Sequence, residues 1–240
     1  MDTYTSDTFF NGCLHVRQFR SGYRFSIDSI ILANHVRLRP GETVLDLGTG
    51  CGIVALILAY RHSESTIIGV EFQRELAELA RDNTIANQLQ NRVQIMCRDM
   101  KGLTAADFSQ PADWVVSNPP YHKNNAGRLN PNRQKAVARH EIEVTFNDVV
   151  TTAVKTLRTG GRFLTIYIAD RSIEAMVDMH AAGLEPKYCC MIHSGKTSNA
   201  KMILIEGVKG AQPGVTIAPP MIIYQETGDY TDEIEQMFRA

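Results

Sequence analysis

The feature that most constrains the fold is an alternation of strand-like and helix-like segments from about residue 29 to residue 193. Such an alternation is typical of an α/β fold in which crossover helices join parallel strands. Residues 186–193 and 202–208 depart from this alternation. A short polar loop joins these two strand-like runs, which predicts an antiparallel hairpin. The remaining predicted strands cover residues 44–47, 66–71, 93–97, 114–117 and 163–168, and the predicted helices cover 29–36, 53–60, 73–87, 146–157 (ended by Gly160-Gly161) and 171–182.

Length and composition indicate one soluble globular domain. The chain has 240 residues, of which 44% are apolar and 21% charged. We expect residues 1–28 to form an arm or small hairpin and residues 29–240 to form a single domain. No apolar run approaches the ~18 residues of a membrane span. Residues 1–7 lack the pattern of a secretory signal, so we expect a cytoplasmic protein that does not bind membranes.

Cysteine, histidine and charge patterns exclude some classes of site. The five cysteines form no Cys-x-x-Cys pair, and the seven histidines show no ligand spacing. We therefore expect reduced, mostly buried thiols and no bound metal. The net charge of −1 weighs mildly against a nucleic-acid binder that is basic as a whole, so the distribution of charge matters more than its sum.

A glycine-rich turn, Asp46-Leu47-Gly48-Thr49-Gly50-Cys51-Gly52, follows the first of the predicted parallel strands. Glycines let the backbone turn tightly and approach a ligand closely. The turn would lie at the carboxyl edge of the sheet, where open α/β folds bind their cofactors. A dinucleotide fold would have Gly-x-Gly-x-x-Gly, but Ile53 stands three residues after Gly50.

A second motif, Asn118-Pro119-Pro120-Tyr121, follows the predicted strand 114–117. Consecutive prolines cannot continue a strand or a helix, because each lacks an N–H group and has a fixed φ. The chain must leave the strand as a stiff turn that presents an amide side chain, backbone carbonyls and an aromatic ring. This set suits a planar base that carries an amino group, although a rigid loop without chemistry would have the same sequence.

Together the two motifs resemble those of class I S-adenosylmethionine (SAM) dependent methyltransferases that modify exocyclic or amide nitrogens. The resemblance implies a Rossmann-like fold: a seven-stranded, mostly parallel twisted sheet with helices on both faces and a C-terminal antiparallel hairpin. It implies SAM as the methyl donor, S-adenosylhomocysteine as the product, and no metal. The implied catalytic residues are Asn118, Pro119, Pro120 and Tyr121.

The same resemblance assigns a cofactor-binding role to residues at successive strand ends. Asp46 would compensate the positive charges of SAM, Glu71 would accept both ribose hydroxyls, and Asp99 would bond the adenine amino group. Each of these acids could instead cap a helix or end a strand. The implied cofactor-binding set is Phe25, Asp46, Gly48, Gly50, Glu71, Phe72, Asp99, Met100 and Asn118.

Further segments narrow the resemblance to the bacterial tRNA (adenine-N6)-methyltransferase family that acts on valine tRNA next to the anticodon. They are residues 23–28, 46–52, 117–121, 138–140, 202–207, 220–224 and 228–231. This resemblance implies methyl transfer to N6 of an adenine in RNA, with tRNA as the expected partner. No obligate protein partner is indicated.

A basic segment, 122–140, begins directly after the second motif and contains no Asp or Glu. A run of one sign usually stays mobile until a polyanion neutralises it, which favours RNA binding over a merely solvated loop. A second basic group, on the C-terminal hairpin, favours a solvated face; it is formed by Lys196, Lys201 and Lys209. The nucleic-acid-binding residues predicted in the first segment are Lys123, Arg128, Arg133, Lys135, Arg139 and His140.

Three alternatives remain open. Glutamine-amide methylation of a protein such as a release factor would use the same second motif, but those enzymes carry an N-terminal helical domain that the 45 residues before Asp46 are too few to form. Guanine-N2 methylation of ribosomal RNA is the second, although such relatives tend to have Phe where this chain has Tyr121. The third is a SAM-binding module without catalysis.

Overall fold

The chain folds around one large sheet, as seen in a computed structural model that describes residues 3–21, 24–119 and 144–239. An antiparallel hairpin and a helix come first: β1 (Tyr4–Phe9), β2 (Leu14–Phe19) and α1 (Ile27–His35). The central elements are β3 (Thr43–Leu47), α2 (Ile53–Arg61), β4 (Thr66–Glu71), α3 (Arg74–Ala86), β5 (Val93–Cys97), β6 (Ala112–Ser117), α4 (Phe146–Thr156) and β7 (Leu157–Ile168). The last elements are α5 (Ser172–Ala181), β8 (Leu184–His193), β9 (Ala200–Lys209), β10 (Thr216–Ile217), β11 (Met221–Ile222) and α6 (Asp232–Met237).

The long strands lie in the order β5-β4-β3-β6-β7-β9-β8. Strands β3 to β7 are parallel, and β9 runs antiparallel to both β7 and β8. The predicted α/β sheet and its C-terminal hairpin are therefore confirmed. The predicted count of seven strands is wrong, because the sheet has nine strands among the described residues. The additional strands, β10 and β11, pair in parallel with β8 and are too short to give a hydrophobic pattern.

The sequence predicts that Gly160-Gly161 ends α4, and this prediction is wrong. The helix stops at Thr156, and both glycines lie inside β7 at a bulge that shifts its register against β6. A Cβ on Gly161 would lie 2.9 Å from the carbonyl oxygen of Arg158 and 3.2 Å from that of Asp113. The second glycine is therefore required for a close backbone approach within the sheet.

Helices cover both faces of the sheet. Helices α1, α2, α3 and α6 pack with the hairpin in one apolar core, and α4 and α5 pack in the other. The hairpin residues Phe9, Phe10, Leu14 and Val16 are buried in the first core, so the arm packs against the sheet domain. The division into an arm and one larger domain remains a prediction.

The hairpin is attached to α3 by two asparagines one helical turn apart. The Asn83 side chain accepts the N–H of Arg17 at 3.0 Å and donates to its carbonyl at 2.8 Å. The Asn87 side chain makes the same pair of bonds with His15, at 2.8 and 2.6 Å. Asn83 also donates to the carbonyl of Cys51 at 2.9 Å, which links the hairpin to the glycine turn. Residues i and i+4 share a helix face, so the two amides meet alternate residues of β2.

A row of aromatic rings connects the C-terminal tail to the segment before α1. Ring centroids are separated by 5.3 Å between Tyr224 and Tyr230 and by 5.6 Å between Tyr230 and Phe238. Phe238 then stacks on Phe9 at 6.0 Å, and Phe9 contacts Phe25 at 5.8 Å. The tail therefore supports the chain that leads into α1.

The five cysteines are free thiols, and most are buried, as predicted: Cys51, Cys189 and Cys190 are inside the protein, whereas Cys13 and Cys97 are exposed. Within the described ranges, no helix has the length and apolar character needed to cross a membrane.

Candidate functional site

The two sequence motifs emerge side by side at the carboxyl edge of the sheet. Strands β3 and β6 are parallel neighbours, with Asp46 in register with Val116. The Ser117 hydroxyl donates to the carbonyl of Leu47 at 2.8 Å and ties the two strand ends together. The glycine turn and Asn118 therefore leave adjacent strands at one edge, where open α/β sheets bind ligands.

The glycine turn has a backbone that only glycine adopts readily. Gly48, Gly50 and Gly52 have φ values of 76°, 59° and 89°. The N–H groups of Gly48 and Thr49 both donate to the carbonyl of Val70, at 2.9 and 3.0 Å. The turn is thus folded back onto the end of β4 and its shape is fixed by backbone bonds.

Asp46 is a buried acid beneath this turn. It is 2% exposed, and its carboxylate accepts the Thr49 hydroxyl at 2.6 Å. Burial raises its pKa from 3.8 to about 7, the Thr49 bond opposes that rise, and the charge of Glu71 adds to it. A cation placed at the turn would favour the ionised form, because an opposite charge nearby lowers the pKa of an acid.

Glu71 ends β4 and is also buried. One carboxylate oxygen accepts the N–H of Gly50 at 2.9 Å, and the other accepts that of Gln73 at 2.8 Å. A carboxylate offers about four lone-pair sites, so an acid at this position can accept several hydrogen bonds at once. Phe72, the next residue, is 47% exposed, which is unusual for a Phe side chain and leaves its ring accessible.

Asp99 and Met100 lie at the end of the neighbouring strand β5. Asp99 is exposed and accepts the N–H of Lys101 at 2.9 Å, so it caps the single helical turn that begins at Met100. Met100 is buried, and Thr152 donates to its carbonyl at 3.2 Å. A Cβ built on Gly48 would meet only the Met100 methyl group, at 3.9 Å, among the described atoms. The Met100 methyl group therefore faces the bare backbone of the glycine turn.

Asn118 is held by a residue that the sequence does not single out. Its amide nitrogen donates to the hydroxyl of Ser29 at 3.0 Å. Ser29 is buried in the first turn of α1, which brings the start of that helix to the carboxyl edge. This bond uses the N–H₂ end of the amide and holds the side chain in one orientation.

Phe25 precedes α1 and is half-buried against the aromatic row. Ser26 occupies the N-cap position, but its hydroxyl donates to Asp28 at 2.7 Å and makes no bond to the helix backbone. The chain around Phe25 is therefore held at the edge of the site by aromatic packing and by the bond between Ser29 and Asn118.

The structure brings most of the predicted cofactor residues to this one edge. The turn itself contains Asp46, Gly48 and Gly50, and Glu71 and Met100 lie against it. Phe72 and Asp99 are exposed beside it. Three site residues were missed by the sequence analysis: Ser29, Thr49 and Ser117. Each is a hydroxyl residue within or next to a recognised motif, which is the signal that could have found them. Pro119 is described and buried, whereas the predictions for Pro120, Tyr121, Lys123, Arg128, Arg133, Lys135, Arg139 and His140 lie outside the described residues.

The basic group predicted on the C-terminal hairpin is not one surface. Lys196 and Lys201 lie where β8 passes into β9, at the carboxyl edge. Lys209 lies at the other end of β9 and donates to the carbonyls of Val154 and Leu157, both at 2.6 Å. The grouping fails because β9 is ten residues long and its ends lie at opposite edges of the sheet.

This strand order, with its one reversed strand and a glycine turn and acid at the ends of β3 and β4, defines a Rossmann-like methyltransferase. The chain belongs to the methyltransferase small domain family, whose family model matches residues 20–182.

Comparisons with individual proteins agree with this family. The tRNA1(Val) (adenine(37)-N6)-methyltransferase of Aeromonas salmonicida is 29% identical over 93% of this chain and 92% of its own length. The protein of the same name from Tolumonas auensis is 26% identical over 80% of this chain and 79% of its own. A solved structure, that of a predicted O-methyltransferase from Agrobacterium tumefaciens, shares the fold with a TM-score of 0.69; it is 21% identical and the match covers 88% of this chain and 94% of that one.

Proposed function

We propose that this protein transfers a methyl group from SAM to N6 of an adenine in tRNA, next to the anticodon. The observation that carries the proposal is the position of Asn118, held by Ser29 at the end of β6 beside the glycine turn that ends β3. In this proposal the group that accepts the amine and the binding site of the methyl donor lie on adjacent strands. The two curated relatives described above are both named for methylation at N6 of adenine 37 in tRNA1(Val), which supports the choice of acceptor.

When bound, SAM supplies an electrophilic methyl group attached to a positively charged sulfonium. Asp46 and Glu71 provide negative charge beneath the turn where such a cation would sit. Burial makes this charge effective, because water does not screen it. Gly48 and Gly50 allow the backbone to approach the donor, and Phe25 covers its methionine end in the proposal.

The nucleoside end of SAM is assigned to the ends of β4 and β5. In this assignment Glu71 accepts the two ribose hydroxyls, and the exposed Asp99 accepts from the adenine amino group. Met100 and Phe72 would enclose the adenine ring between them. Phe72 is 47% exposed, so its ring is accessible to such a ligand.

Asn118 and Pro119 act on the methyl acceptor. An exocyclic amine is a poor nucleophile, because its lone pair is delocalised into the ring. Hydrogen bonds from this amine to the Asn118 side-chain oxygen and the Pro119 carbonyl would favour a more tetrahedral nitrogen. The same acceptors stabilise the positive charge that develops on the nitrogen during transfer. Alignment on a rigid strand end adds the advantage of proximity.

The proposal also gives roles to residues outside the described ranges. Pro120 stiffens the turn, and Tyr121 stacks on the target base. The segment 122–140 contacts the RNA backbone through Lys123, Arg128, Arg133, Lys135, Arg139 and His140.

The direct test uses purified protein, SAM with a deuterated methyl group, and transcripts of tRNA1(Val), followed by mass analysis of the nucleosides. We expect labelled N6-methyladenosine from the unaltered transcript. A transcript with guanine in place of adenine 37 serves as the matched control and should remain unlabelled. Label in guanine, or in a release factor supplied as a competing acceptor, would contradict the proposal in favour of the corresponding alternative. SAM binding without labelled product in any acceptor would indicate a binding module.

A further inference from the structure

Most arginine and lysine side chains of the described ranges are already engaged. Arg98 pairs with Asp107, Arg158 with Asp113, and the remaining engaged ones donate to acids or backbone carbonyls or lie over aromatic rings. Within residues 3–21, 24–119 and 144–239, some positive side chains have no hydrogen bond, ion pair or ring contact. They are Arg20, Arg24, Arg39, Lys155, Lys196 and Lys201.

Four of these cations lie towards the carboxyl edge of the sheet, the edge that carries the candidate site. Arg20 and Arg24 belong to the segment between β2 and α1, whose Ser29 bonds Asn118 at the carboxyl edge. Lys196 and Lys201 lie at the turn between β8 and β9. Because β9 is antiparallel to both of its neighbours, β8 runs parallel to β7 and this turn is also at the carboxyl edge. We call Arg20, Arg24, Lys196 and Lys201 the rim cations.

The other two unengaged cations lie at the opposite edge. Arg39 precedes β3, and Lys155 stands near the end of α4, directly before β7 begins. Both β3 and β7 start at the amino edge of the parallel sheet, away from the glycine turn. These residues are also exposed, so they give a matched comparison for the rim cations.

The aromatic row connects the two halves of the rim. Tyr224 donates its N–H to the carbonyl of Ser194 at 2.9 Å, two residues before Lys196, and at the other end Phe25 follows Arg24. The Tyr224 side chain is 39% exposed and stacks on Tyr230, so its free face is held in a fixed orientation. An exposed ring of this kind suits stacking on a nucleobase.

The same surface also carries negatively charged side chains. Glu226 and Asp229 lie in the turn after Tyr224, and Asp229 accepts the hydroxyl of Thr227 at 2.9 Å. The surface is therefore not uniformly basic. It offers an aromatic platform with two positive groups, one on each side, which matches a single nucleic-acid strand that has alternating phosphates and bases.

We propose that the rim cations bind phosphates of the RNA strand on either side of the target nucleotide, and that Tyr224 stacks on a neighbouring base. This inference rests on the proposed function, because it assumes that the acceptor at Asn118 is part of an RNA. Unengaged cations gain most from such a contact, since they lose no existing ion pair and release counterions from the RNA.

The test compares three double variants that each remove two positive charges: Arg20→Ala with Arg24→Ala, Lys196→Ala with Lys201→Ala, and the control Arg39→Ala with Lys155→Ala. The dissociation constant for tRNA1(Val) is measured over a range of salt concentrations, and that for SAM by calorimetry. We expect each rim variant to bind tRNA several-fold more weakly, with the slope of log affinity against log salt reduced by about 1 to 2. The control should match the unaltered protein, and SAM affinity should be unchanged in all three.

Tyr224 has its own matched pair of variants. Tyr224→Phe keeps the ring and should retain tRNA affinity, whereas Tyr224→Ala should weaken it by about five-fold or more. Equal affinity of the two variants would remove Tyr224 from the proposed surface.

The outcomes separate this inference from the proposed function. Equal weakening by all three double variants would show an effect of net charge alone and would overturn the rim surface, as would unchanged binding in both rim variants. If the rim variants lose tRNA binding selectively while the unaltered protein forms no N6-methyladenosine, the surface stands and the proposed function fails. Absence of tRNA binding by the unaltered protein would overturn the surface and remove the support for an RNA acceptor.

Discussion

The carboxylate of Glu71 accepts the backbone N–H of Gly50 at 2.9 Å and thereby fixes the glycine turn of the neighbouring strand. The same residue is assigned to the ribose of SAM in the proposed function. Under that assignment, one acid serves both the shape of the donor site and its contact with the donor. We therefore expect exchange of this acid for a neutral residue to affect the turn as well.

Replacement of Glu71 by glutamine should weaken SAM binding by roughly 10- to 100-fold. The amide has one acceptor oxygen in place of two, so either Gly50 or Gln73 loses its hydrogen bond to an ionised group, a loss of about 1.5–3 kcal/mol. Calorimetric titration with SAM measures the effect. Glu78→Gln, which removes an exposed acid from α3, is the control and should bind SAM normally. Normal affinity in Glu71→Gln would refute the assigned role.

Asp46 should give SAM affinity a pH dependence below about pH 7. The ligand-free protein holds this carboxyl group protonated at acidic pH because burial raises its pKa to about 7. A cationic ligand requires the ionised form, so affinity should rise with pH up to about 7 and then level off. Asp46→Asn retains an acceptor for the Thr49 hydroxyl and should show weak, pH-independent binding. A parallel pH profile in both proteins would contradict the prediction.

The same shift predicts a change in the stability of the ligand-free protein. The folded pKa of about 7 exceeds the ordinary value of 3.8, so the folded state binds the proton more tightly. This contribution to the free energy of unfolding is complete below about pH 4, is lost as the pH rises to about 7, and is absent above that. Urea unfolding at pH 5 and pH 8 should therefore show a larger stability loss in the unaltered protein than in Asp46→Asn. An equal loss in both would place the titration elsewhere.

Asn118→Ala should lower turnover by on the order of 100-fold or more while SAM affinity stays within a few fold, because it removes an acceptor used in the transition state. Equal losses in turnover and SAM affinity would argue against that role.

Ser29→Ala tests whether Ser29 is a positioning residue. It leaves Asn118 in place but removes the 3.0 Å bond that orients its amide, so turnover should fall by less and SAM affinity should again be unchanged. Normal turnover in Ser29→Ala would show that the bond is not needed.

Asn83→Ala should destabilise the protein by roughly 2–4 kcal/mol. The side chain is fully buried, and its loss leaves backbone groups of Arg17 and Cys51 without their partner. Asn87→Ala removes equivalent bonds to His15 at a more exposed position, where water can replace them, and should cost less than about 1 kcal/mol. Chemical denaturation measures both. Similar losses in the two variants would mean that burial is not what makes Asn83 important.

The sequence predicted those parts of the structure that local pattern determines. The glycine turn, Asp46 and Glu71 could be located because glycines at a fixed spacing and acids at strand ends follow recognisable apolar runs. The Ser29–Asn118 bond could not, since it joins residues 89 positions apart through the docking of α1. The bulge at Gly161 was not predicted for a similar reason, because the requirement for glycine comes partly from the carbonyl of Asp113 on the adjacent strand, in addition to that of Arg158.

The two asparagines of α3 also have a consequence for the behaviour of the protein at high concentration. A strand at the border of a sheet can template pairing with another chain through its unpaired N–H and C=O groups. At His15 and Arg17 those groups are already occupied by side-chain amides from the same molecule. At these two residues the outer border of β2 therefore offers no unpaired backbone groups to a strand of another molecule, which opposes edge-to-edge aggregation through the arm.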